Sequence, residues 1–292
     1  MSKRNILLQL DTDPHASVFD RVVAVDAGVD EIFAYGDVAS DAVEGLVHGA
    51  IFTRGPQELK HTAIFIGGRN VQKAEELLHA AVKTFFGPLR CSVLLDASGC
   101  NTTAAAAVLA AGRHLDLSKT KALVLGGTGP VGQRVALLLA KQKAAVWLGS
   151  RTRDRAADGC NAIKDKIDGA RIFPAAMNDP ESVARNPERF NLVIAAGAAG
   201  ARLVTREGLK DHKDLRVLID LNAVPPSGIE GVEPTDFGRE LEGVSQYGAL
   251  GVGRIKMKVH RAALVELYQS NDKVMDAEEV YDLALRMTEI NK

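Results

Sequence analysis

One glycine-rich turn between a strand and a helix constrains this chain more than any other stretch. Residues 121–125 have the composition of a short buried strand, and residues 133–143 have the pattern of a helix. Between them, Gly127, Gly129 and Gly132 follow the spacing GxGxxG. A strand, a tight glycine turn and a helix start in this order form the arrangement that holds the pyrophosphate of a dinucleotide. The sequence therefore predicts a nucleotide-binding turn.

The glycines of this turn have separate predicted tasks. Gly127 permits the sharp turn, Gly129 lets the backbone approach the pyrophosphate, and Gly132 lets helix and strand pack closely. Free amides and the positive end of the helix dipole face the phosphates. Ordinary tight turns also select glycine, so the flanking strand and helix are what favour a nucleotide site. The candidate cofactor residues of the turn are Gly127, Thr128, Gly129, Pro130, Val131 and Gly132.

The end of the next predicted strand, residues 144–149, distinguishes between the two nicotinamide cofactors. A fold selective for NAD usually carries an Asp or Glu there, roughly 20 residues beyond the glycines, to bind the ribose 2′-hydroxyl. This chain has Ser150, Arg151 and Arg153 instead. Guanidinium and hydroxyl groups can hold a 2′-phosphate by charge-assisted hydrogen bonds. NADP is the expected cofactor, with NAD open as a second one; the alternative is a solvated basic turn.

Two further loops are expected beside the cofactor. Residues 191–196 and 216–220 are apolar runs typical of buried central strands. Ligands of doubly wound sheets lie beyond the carboxyl ends of the strands. The loops that follow these strands therefore add Ala196, Gly197 and Asn222 to the candidate cofactor residues, with ordinary turns as the alternative.

Composition narrows the classes of protein that fit. The 292 residues include 36 basic and 37 acidic side chains, so no charge bias favours nucleic acid or an anionic membrane. The three cysteines form neither a CxxC pair nor a metal-ligand cluster, and we expect no metal site. No stretch resembles a signal peptide or approaches the roughly 18 apolar residues of a membrane span. We expect a cytoplasmic protein without nucleic-acid or membrane partners.

Short apolar runs alternate with helical patterns along the chain, which predicts an α/β fold with mostly parallel sheets. We expect an N-terminal α/β domain of residues 1–112, for substrate binding and oligomerisation, and a doubly wound, Rossmann-type NADP-binding domain of residues 113–269. Helices within residues 270–292 are expected to pack back on the first domain. Outside the regions already described, the predicted strands are 5–10, 31–35, 63–66 and 91–95, and the predicted helices are 18–27, 71–86, 259–268, 277–287 and one starting at 101–103.

Four patches outside the glycine turn complete a pattern that spans nearly the whole chain. They are Asp11-Thr-Asp13 with Ser17-Val-Phe19-Asp20, the stretch Ser98-Gly-Cys-Asn101-Thr102-Thr103, the stretch Asp220 to Gly231, and the stretch Tyr247 to Arg261. Together with the turn they closely resemble the NAD(P)-dependent methylene-tetrahydromethanopterin dehydrogenases of bacterial one-carbon metabolism. The resemblance is specific because five dissimilar patches occur in the family's order.

The resemblance implies an activity and an assembly. The enzyme would oxidise the methylene bridge of a tetrahydropterin carrier to a methenyl bridge by hydride transfer to NADP, in the oxidation of formaldehyde-level carbon that serves methylotrophy. Tetrahydromethanopterin is the implied carrier. Methylene-tetrahydrofolate is open as a second substrate because both carriers present a reduced pterin. The family also implies a site in a cleft between two domains, completed by a neighbouring subunit of a homotrimer or homohexamer.

Individual residues take their predicted roles from the same resemblance. The matching active-site positions are Phe19, Thr102, Lys256 and His260, and the matching substrate-binding positions are Asp13, Asp20 and Asn101. Residue patterns alone favour other roles: a helix cap for Thr102, a core position for Phe19, and a solvated Lys256 beside a structural His260.

The implied chemistry suits these residue types. Hydride removal from an N–CH₂–N carbon leaves a cation spread over both nitrogens, so no proton leaves that carbon and no strong base is required. The step needs positioning and the exclusion of water. Lys256 and His260 are four residues apart, so a helix places both on one face. We expect Lys256 to orient the pterin and His260 to hydrogen-bond it. A cationic lysine next to the reacting carbon would oppose hydride loss.

Two other interpretations use the same glycine turn. One is an NADP oxidoreductase like shikimate dehydrogenase or glutamyl reductase. Turnover of a polyol acid, without turnover of a tetrahydropterin, would indicate this first alternative. The other is a protein that senses NADP without catalysis. Tight NADP binding without hydride transfer would indicate that second alternative.

Overall fold

The computed structural model describes residues 3–289 and divides into two compact units. The first contains the chain through Thr102 and again from Met257 onward, and the second is Thr103–Lys256. The expected bounds at residues 112 and 269 lie further along the chain. Two helices, Cys100–Gly112 and Ala249–Glu266, run across the boundaries. The boundaries therefore lie inside helices, where no linker sequence marks them. Residues 1, 2 and 290–292 of the expected domains lie outside the described residues.

The first unit is a five-stranded parallel sheet with helices. Its strands are β1 (Ile6–Asp11), β2 (Glu31–Tyr35), β3 (Thr62–Gly67), β4 (Ser92–Leu95) and β12 (Val274–Met275), in the order β12-β4-β3-β1-β2. Its helices are α1 (Val18–Asp26), α2 (Val43–Ile51), α3 (Val71–Thr84) and α9 (Ala277–Glu289), with the start of α4 (Cys100–Gly112) and the end of α8 (Ala249–Glu266). β12 pairs with β4 through Val274 and Val93. The C-terminal segment therefore joins the first unit, as predicted.

Burial and capping explain the elements of this unit. β3 is buried along its whole length, as a strand near the middle of a parallel sheet should be. Helices α1 and α3 begin at side-chain caps, because Ser17 accepts from the Asp20 amide and Asn70 from the Lys73 amide. β2 lies at the edge of the sheet and is mostly exposed.

The second unit is a seven-stranded sheet with one antiparallel strand. Its strands are β5 (Lys121–Leu125), β6 (Ala145–Ser150), β7 (Ile172–Ala176), β8 (Leu192–Ala195), β9 (Val217–Asp220), β10 (Phe237–Leu241) and β11 (Val244–Tyr247). Their order is β10-β11-β9-β8-β5-β6-β7, and only the β10–β11 pairing is antiparallel. Its complete helices are α5 (Pro130–Lys141), α6 (Arg153–Lys164) and α7 (Arg206–Leu209).

The strand order reverses at β5, which has β6 on one side and β8 on the other. Such a reversal is the topological switch point at which doubly wound folds bind dinucleotides. The predicted Rossmann-type architecture is therefore confirmed. A buried apolar cluster that includes Phe190 and Ile229 packs within this unit. Among the described residues, no helix is long and apolar enough to cross a membrane.

Several elements were not predicted from the sequence. These are α2, α6, α7, β7, β10, β11 and β12. Helix α8 also begins at Ala249, ten residues before the predicted start at Val259. Its first turns contain glycine, which lowers helix propensity, so the sequence pattern indicated only the later part of the helix. A Cβ atom at Gly251 would lie 1.8 Å from the Asp236 carbonyl oxygen, so close packing requires glycine inside this helix.

Candidate active site

The glycine turn follows β5 directly, and its sharp bend is at Gly126. Gly126 has φ +67°, and a Cβ atom there would lie 2.5 Å from Gly197 Cα. The prediction that Gly127 makes the bend was therefore wrong, because the positive φ lies one residue earlier. Gly127 is needed for packing instead: a Cβ atom would lie 2.7 Å from Leu148 Cγ. Gly132 allows the close approach that was predicted, since its Cβ would lie 2.5 Å from the Gly126 carbonyl oxygen.

The start of α5 has the features of a phosphate site. Gly129 is the N-cap residue, Pro130 opens the helix, and within the described chain no side chain caps the free amides. The backbone of Gly129 is extended, and a Cβ atom would make only ordinary contacts, 3.4 Å from the Gly126 oxygen and 3.8 Å from the Ala196 oxygen. The protein's own packing therefore does not require glycine at position 129. A bare backbone beside the helix dipole, with Val131 in the first turn, fits a pyrophosphate.

The residues predicted to hold the 2′-phosphate lie at the end of β6. Ser150 is buried, and its Oγ lies 3.2 Å from Thr128 Oγ1, which joins β6 to the glycine turn. Arg151 is exposed. Arg153 opens α6 and borders a surface groove of about 730 Å³ that Trp147 also lines. The strand end therefore presents hydroxyl groups and two guanidinium groups where an NAD-selective fold has a carboxylate.

The loops after β8 and β9 lie beside the glycine turn. The Ala196 amide donates to the Leu125 oxygen at 2.9 Å, and Gly197 packs against Gly126 as described above. Asn222 is buried, and its side chain is committed to the two loops. Its Oδ1 accepts from the Gly200 and Val224 amides, and its Nδ2 donates to the Pro226 oxygen at 3.1 Å. The predicted contact of Asn222 with cofactor stays a prediction.

Three predicted site residues come together in the first unit. The rings of Phe19 and His260 have centroids 6.3 Å apart, and His260 Nε2 lies 3.9 Å from Asp20 Oδ1. Phe65, from β3, also stacks on His260, with ring centroids 5.8 Å apart. His260 is fully buried, whereas Phe19 is 53% exposed and offers an aromatic face to solvent. Lys256 lies one helical turn before His260 in α8 and is half-buried.

Asp13 lies in the loop after β1, where Asp11 organises the backbone. The buried Asp11 carboxylate accepts from the amides of Asp13 at 2.9 Å and Ser17 at 3.0 Å. Asp13 itself accepts from the Arg69 amide and pairs with the Arg69 guanidinium at 3.0 Å. Asp11 belongs to one of the stretches that carry the family resemblance, but the sequence predicted no role for it.

Thr102 and Asn101 are fully buried around Asp96, which sequence reasoning missed. One oxygen of Asp96 accepts from the amides of both residues at 3.0 Å, and the other accepts from the Thr102 hydroxyl at 2.6 Å. The Asn101 amide group donates to the Leu95 oxygen and to Asp276. Asp96 thus caps α4, whereas the sequence favoured Thr102 as the cap. An acidic residue directly after a strand and shortly before a polar helix start was the signal for this role.

Of the cysteines, Cys100 borders the Asp96 cluster, where its Sγ donates to Asn101 Oδ1 at 3.6 Å. All three are buried and form no disulfide. Burial raises the pKa of the Cys91 thiol to about 12, which makes it a poor nucleophile. Among residues 3–289, no group of three or more His, Cys, Asp or Glu side chains could hold a metal ion.

The geometry of the second unit places the protein in the class of dinucleotide-binding folds. A switch-point glycine turn with an uncapped helix start is the mark of a dinucleotide-binding fold. Solved structures share this architecture. Shikimate 5-dehydrogenase from Listeria monocytogenes superposes with a TM-score of 0.51 over 96% of each chain at 16% identity. The 5-ketofructose reductase of Gluconobacter sp. strain CHM43 superposes with a TM-score of 0.50 over 98% of this chain and 99% of its own at 15% identity. These similarities concern the fold alone.

Sequence comparison gives the family. Residues 18–98 match the model of the N-terminal domain of methylene-tetrahydromethanopterin dehydrogenase. The bifunctional protein MdtA of Methylorubrum extorquens strain AM1 is 42% identical over 291 residues, which cover 98% of this chain and 100% of the relative. The NAD(P)-dependent methylenetetrahydromethanopterin dehydrogenase of the same organism is 30% identical, covering 97% of this chain and 99% of the relative. The chain belongs to the methylene-tetrahydromethanopterin dehydrogenase family.

Proposed function

We propose that this protein is an NAD(P)-dependent methylene-tetrahydromethanopterin dehydrogenase that oxidises the methylene bridge of its carrier to a methenyl bridge, with NADP as hydride acceptor. The observation that carries this proposal is similarity along nearly the whole chain to a relative named for that activity. The α5 start supports it independently, because its uncapped amides fit a dinucleotide. An alternative substrate of the shikimate or glutamyl-tRNA class is not favoured, since that likeness is confined to the fold.

The second unit supplies the proposed cofactor site. Residues 127–132 bind the pyrophosphate through backbone amides, and Ala196 and Gly197 border it. Ser150, Arg151 and Arg153 hold the 2′-phosphate through hydroxyl and guanidinium donors. When bound, the nicotinamide ring supplies the acceptor for the hydride. Arginines that accept a phosphate do not exclude a hydroxyl, so NAD remains open as a second cofactor.

Phe19, Asp20 and His260 form the proposed pterin-binding cluster of the first unit. Phe19 offers an exposed ring on which a flat pterin can stack. Asp20 supplies hydrogen-bond acceptors, and the fully buried His260 packs next to Phe19 and Asp20, a position that suits support of these two side chains better than the predicted hydrogen bond to the pterin. We assign Lys256 to binding and orienting the substrate, since hydride removal calls for no base. In this proposal the residues act by placement and by excluding water.

Asp13, Asn101 and Thr102 are proposed to contribute indirectly. Asp13 is held by Arg69, and the two others hold the start of α4 against Asp96. Because these residues are hydrogen-bonded within the protein, their predicted contact with the substrate is the least favoured of the proposed contacts.

A spectrophotometric assay tests the proposed function. Methylene-tetrahydromethanopterin and methylene-tetrahydrofolate are each offered with NADP and with NAD, and reduced nicotinamide is followed over time. We expect turnover with the methanopterin carrier and NADP. Turnover in the folate arm would add a second substrate. Absence of turnover with both pterins, despite bound NADP, would contradict the proposal and favour the sensor alternative.

The setting of the enzyme is proposed with its activity. We infer a role in cytoplasmic oxidation of formaldehyde-level carbon, as the family resemblance implies, without nucleic-acid partners. We also infer a homotrimer or homohexamer. Exposed apolar side chains on α1 and on the edge strand β2 favour self-association: Val18, Val22, Val25, Phe33 and Tyr35. Sedimentation of the wild type and of Val22→Lys tests the assembly, since a charge on this face should dissociate it.

A further inference from the structure

A buried carboxylate that has no role in the proposed function lies at the carboxyl end of β9. Asp220 is 1% exposed and is the last residue of that strand. Its Oδ1 accepts from the Asn222 amide at 3.0 Å, and its Oδ2 accepts from the Ile229 amide at 3.0 Å. A Cβ atom at Gly228 would lie 2.9 Å from Oδ1, so the returning chain passes directly over the carboxylate. Asp220 therefore closes the loop of residues 221–229 at both ends.

Asn222 extends this closure to the neighbouring loop. Held by Asp220, it accepts from the Gly200 amide after β8 and donates to the Pro226 oxygen within its own loop. Arg202 fastens the outer side, because its Nε donates to the Ser227 oxygen at 2.6 Å. The hydrogen bonds of one carboxylate thus order two loops at the carboxyl edge of β8 and β9.

The sheet order indicates which part of the cofactor meets these loops. In the proposed function, the pyrophosphate lies on the turn after β5 and the 2′-phosphate lies at the end of β6. A dinucleotide that crosses the switch point then extends its other half toward β8 and β9, on the opposite side of β5. That half is the nicotinamide riboside. The loop after β8 already packs against the glycine turn through Gly197 and Gly126.

We propose that Asp220 is a positioning residue for the nicotinamide half of the cofactor, acting through the loop of residues 221–229 and through Asn222. This inference rests on the proposed NADP binding and deepens it. We propose that Asp220 does not contact the cofactor itself. Its hydrogen bonds fix the positions of backbone groups that do. The pKa of Asp220 is raised from its ordinary value, because the effect of burial exceeds the opposing effect of the backbone hydrogen bonds that its carboxylate accepts. Burial of a carboxylate costs free energy, which the hydrogen bonds from two backbone amides offset. Such a carboxylate is suited to hold the backbone in a fixed position.

The test separates the two halves of the cofactor. Asp220→Asn replaces one accepting oxygen by an amino group that faces a backbone N–H, so one loop contact is lost. Calorimetry measures binding of NADP and of 2′-phospho-ADP-ribose, which lacks nicotinamide. We expect NADP to bind at least about tenfold more weakly and kcat to fall at least about tenfold, because misplacement by 1 Å costs on the order of 10²-fold. Binding of the nicotinamide-free analogue should stay within about twofold of the wild type.

Asp236→Asn is the matched control. Asp236 is also a buried carboxylate of the second unit, and it accepts the Glu233 amide at 2.8 Å away from the two loops. It should leave both titrations unchanged. If Asp220→Asn fails to fold, Asn222→Ala removes the side-chain hydrogen bonds that join the two loops and should show the same split between ligands. Equal weakening of both ligands in the folded variant, or no weakening of either, would overturn the proposal. The titrations decide this whatever the pterin assay shows, so failure of the proposed substrate is a separate result.

Discussion

The two proposed binding regions of this protein are built from different parts of the chain. In the second unit, the nucleotide turn is made of backbone from six consecutive residues, with the two neighbouring loops beside it. In the first unit, Phe19, Phe65 and His260 converge from segments more than 40 residues apart in sequence, and contact depends on side-chain packing. We therefore expect the backbone-built site to be sensitive to side chains added where the phosphates are proposed to lie, and the side-chain site to be sensitive to the loss of its side chains.

The strongest test of this comparison is Gly129→Val. The extended backbone accepts valine, and the space that a Cβ enters is lined only by ordinary contacts, so the unit should fold. The branched side chain occupies the space proposed for the pyrophosphate. NADP affinity measured by calorimetry should fall at least about 100-fold, or about 2.7 kcal/mol.

Substitutions at two other glycines serve as comparisons for Gly129→Val. Gly49→Val in α2 meets no atom within 4 Å and should leave NADP binding unchanged. Gly126→Ala places a side chain at positive φ against Gly197 and should lower the free energy of unfolding by about 1–3 kcal/mol. Near-normal NADP affinity in Gly129→Val would show that the turn is structural.

Lys256→Met tests the side-chain site. Methionine keeps the length of the side chain and removes its charge, so the pterin loses an orienting contact. We expect kcat/KM for the pterin to fall on the order of 10²-fold, with NADP binding intact, because misplacement is the main effect. Lys258→Met, at the exposed position two residues along the same helix, is the matched control and should change little.

The same variant decides whether the lysine handles water. Hydrolysis of a methenyl product needs an activated water, and hydride transfer does not. We expect the wild type to release methenyl product without hydrolysing it. Hydrolase activity in the wild type that disappears in Lys256→Met would contradict the single-function account. A hydrolase assay is worth including because one relative, MdtA, is named a bifunctional protein.

Arg151→Ala tests one of the side-chain contacts proposed for the 2′-phosphate in the otherwise backbone-built site. A charge-assisted hydrogen bond to the 2′-phosphate contributes about 1.5–3 kcal/mol, so KM for NADP should rise roughly 10- to 150-fold. KM for NAD, which lacks that phosphate, should change far less. Arg155→Ala, at an exposed position in the first turn of α6, is the control. Equal effects of Arg151→Ala on both cofactors would remove Arg151 from the phosphate site.

The difference between the regions also explains what the sequence could predict. The glycine turn is local, so the strand, the spacing and the helix start were readable from residues 121–143, and the bend was misplaced by one residue. Asp220 was missed as an anchor, because the loop that returns the Ile229 amide to it forms only on folding. Asp96 was missed although its position between a strand and a polar helix start carried a local signal. Patterns described Phe19 as core, yet the ring is half exposed. Tertiary contacts of this kind leave no periodic signal in one sequence.

The smallest expected effect on turnover belongs to Thr102→Val, which tests whether the first-unit site extends into the start of α4. Valine keeps the shape of threonine and removes the hydroxyl that donates to the buried Asp96 at 2.6 Å. A hydrogen bond to a charged group contributes about 1.5–3 kcal/mol, so the free energy of unfolding should fall by that amount in urea denaturation. Thr103→Val, one residue along and less buried, should stay within about 0.5 kcal/mol. The folded Thr102→Val enzyme should keep kcat within about threefold, since Asp96 still accepts two amides and keeps α4 in place. A large fall in kcat with unchanged stability would instead mean that the Thr102 hydroxyl contacts the substrate, and the boundary of the side-chain site would move to include it.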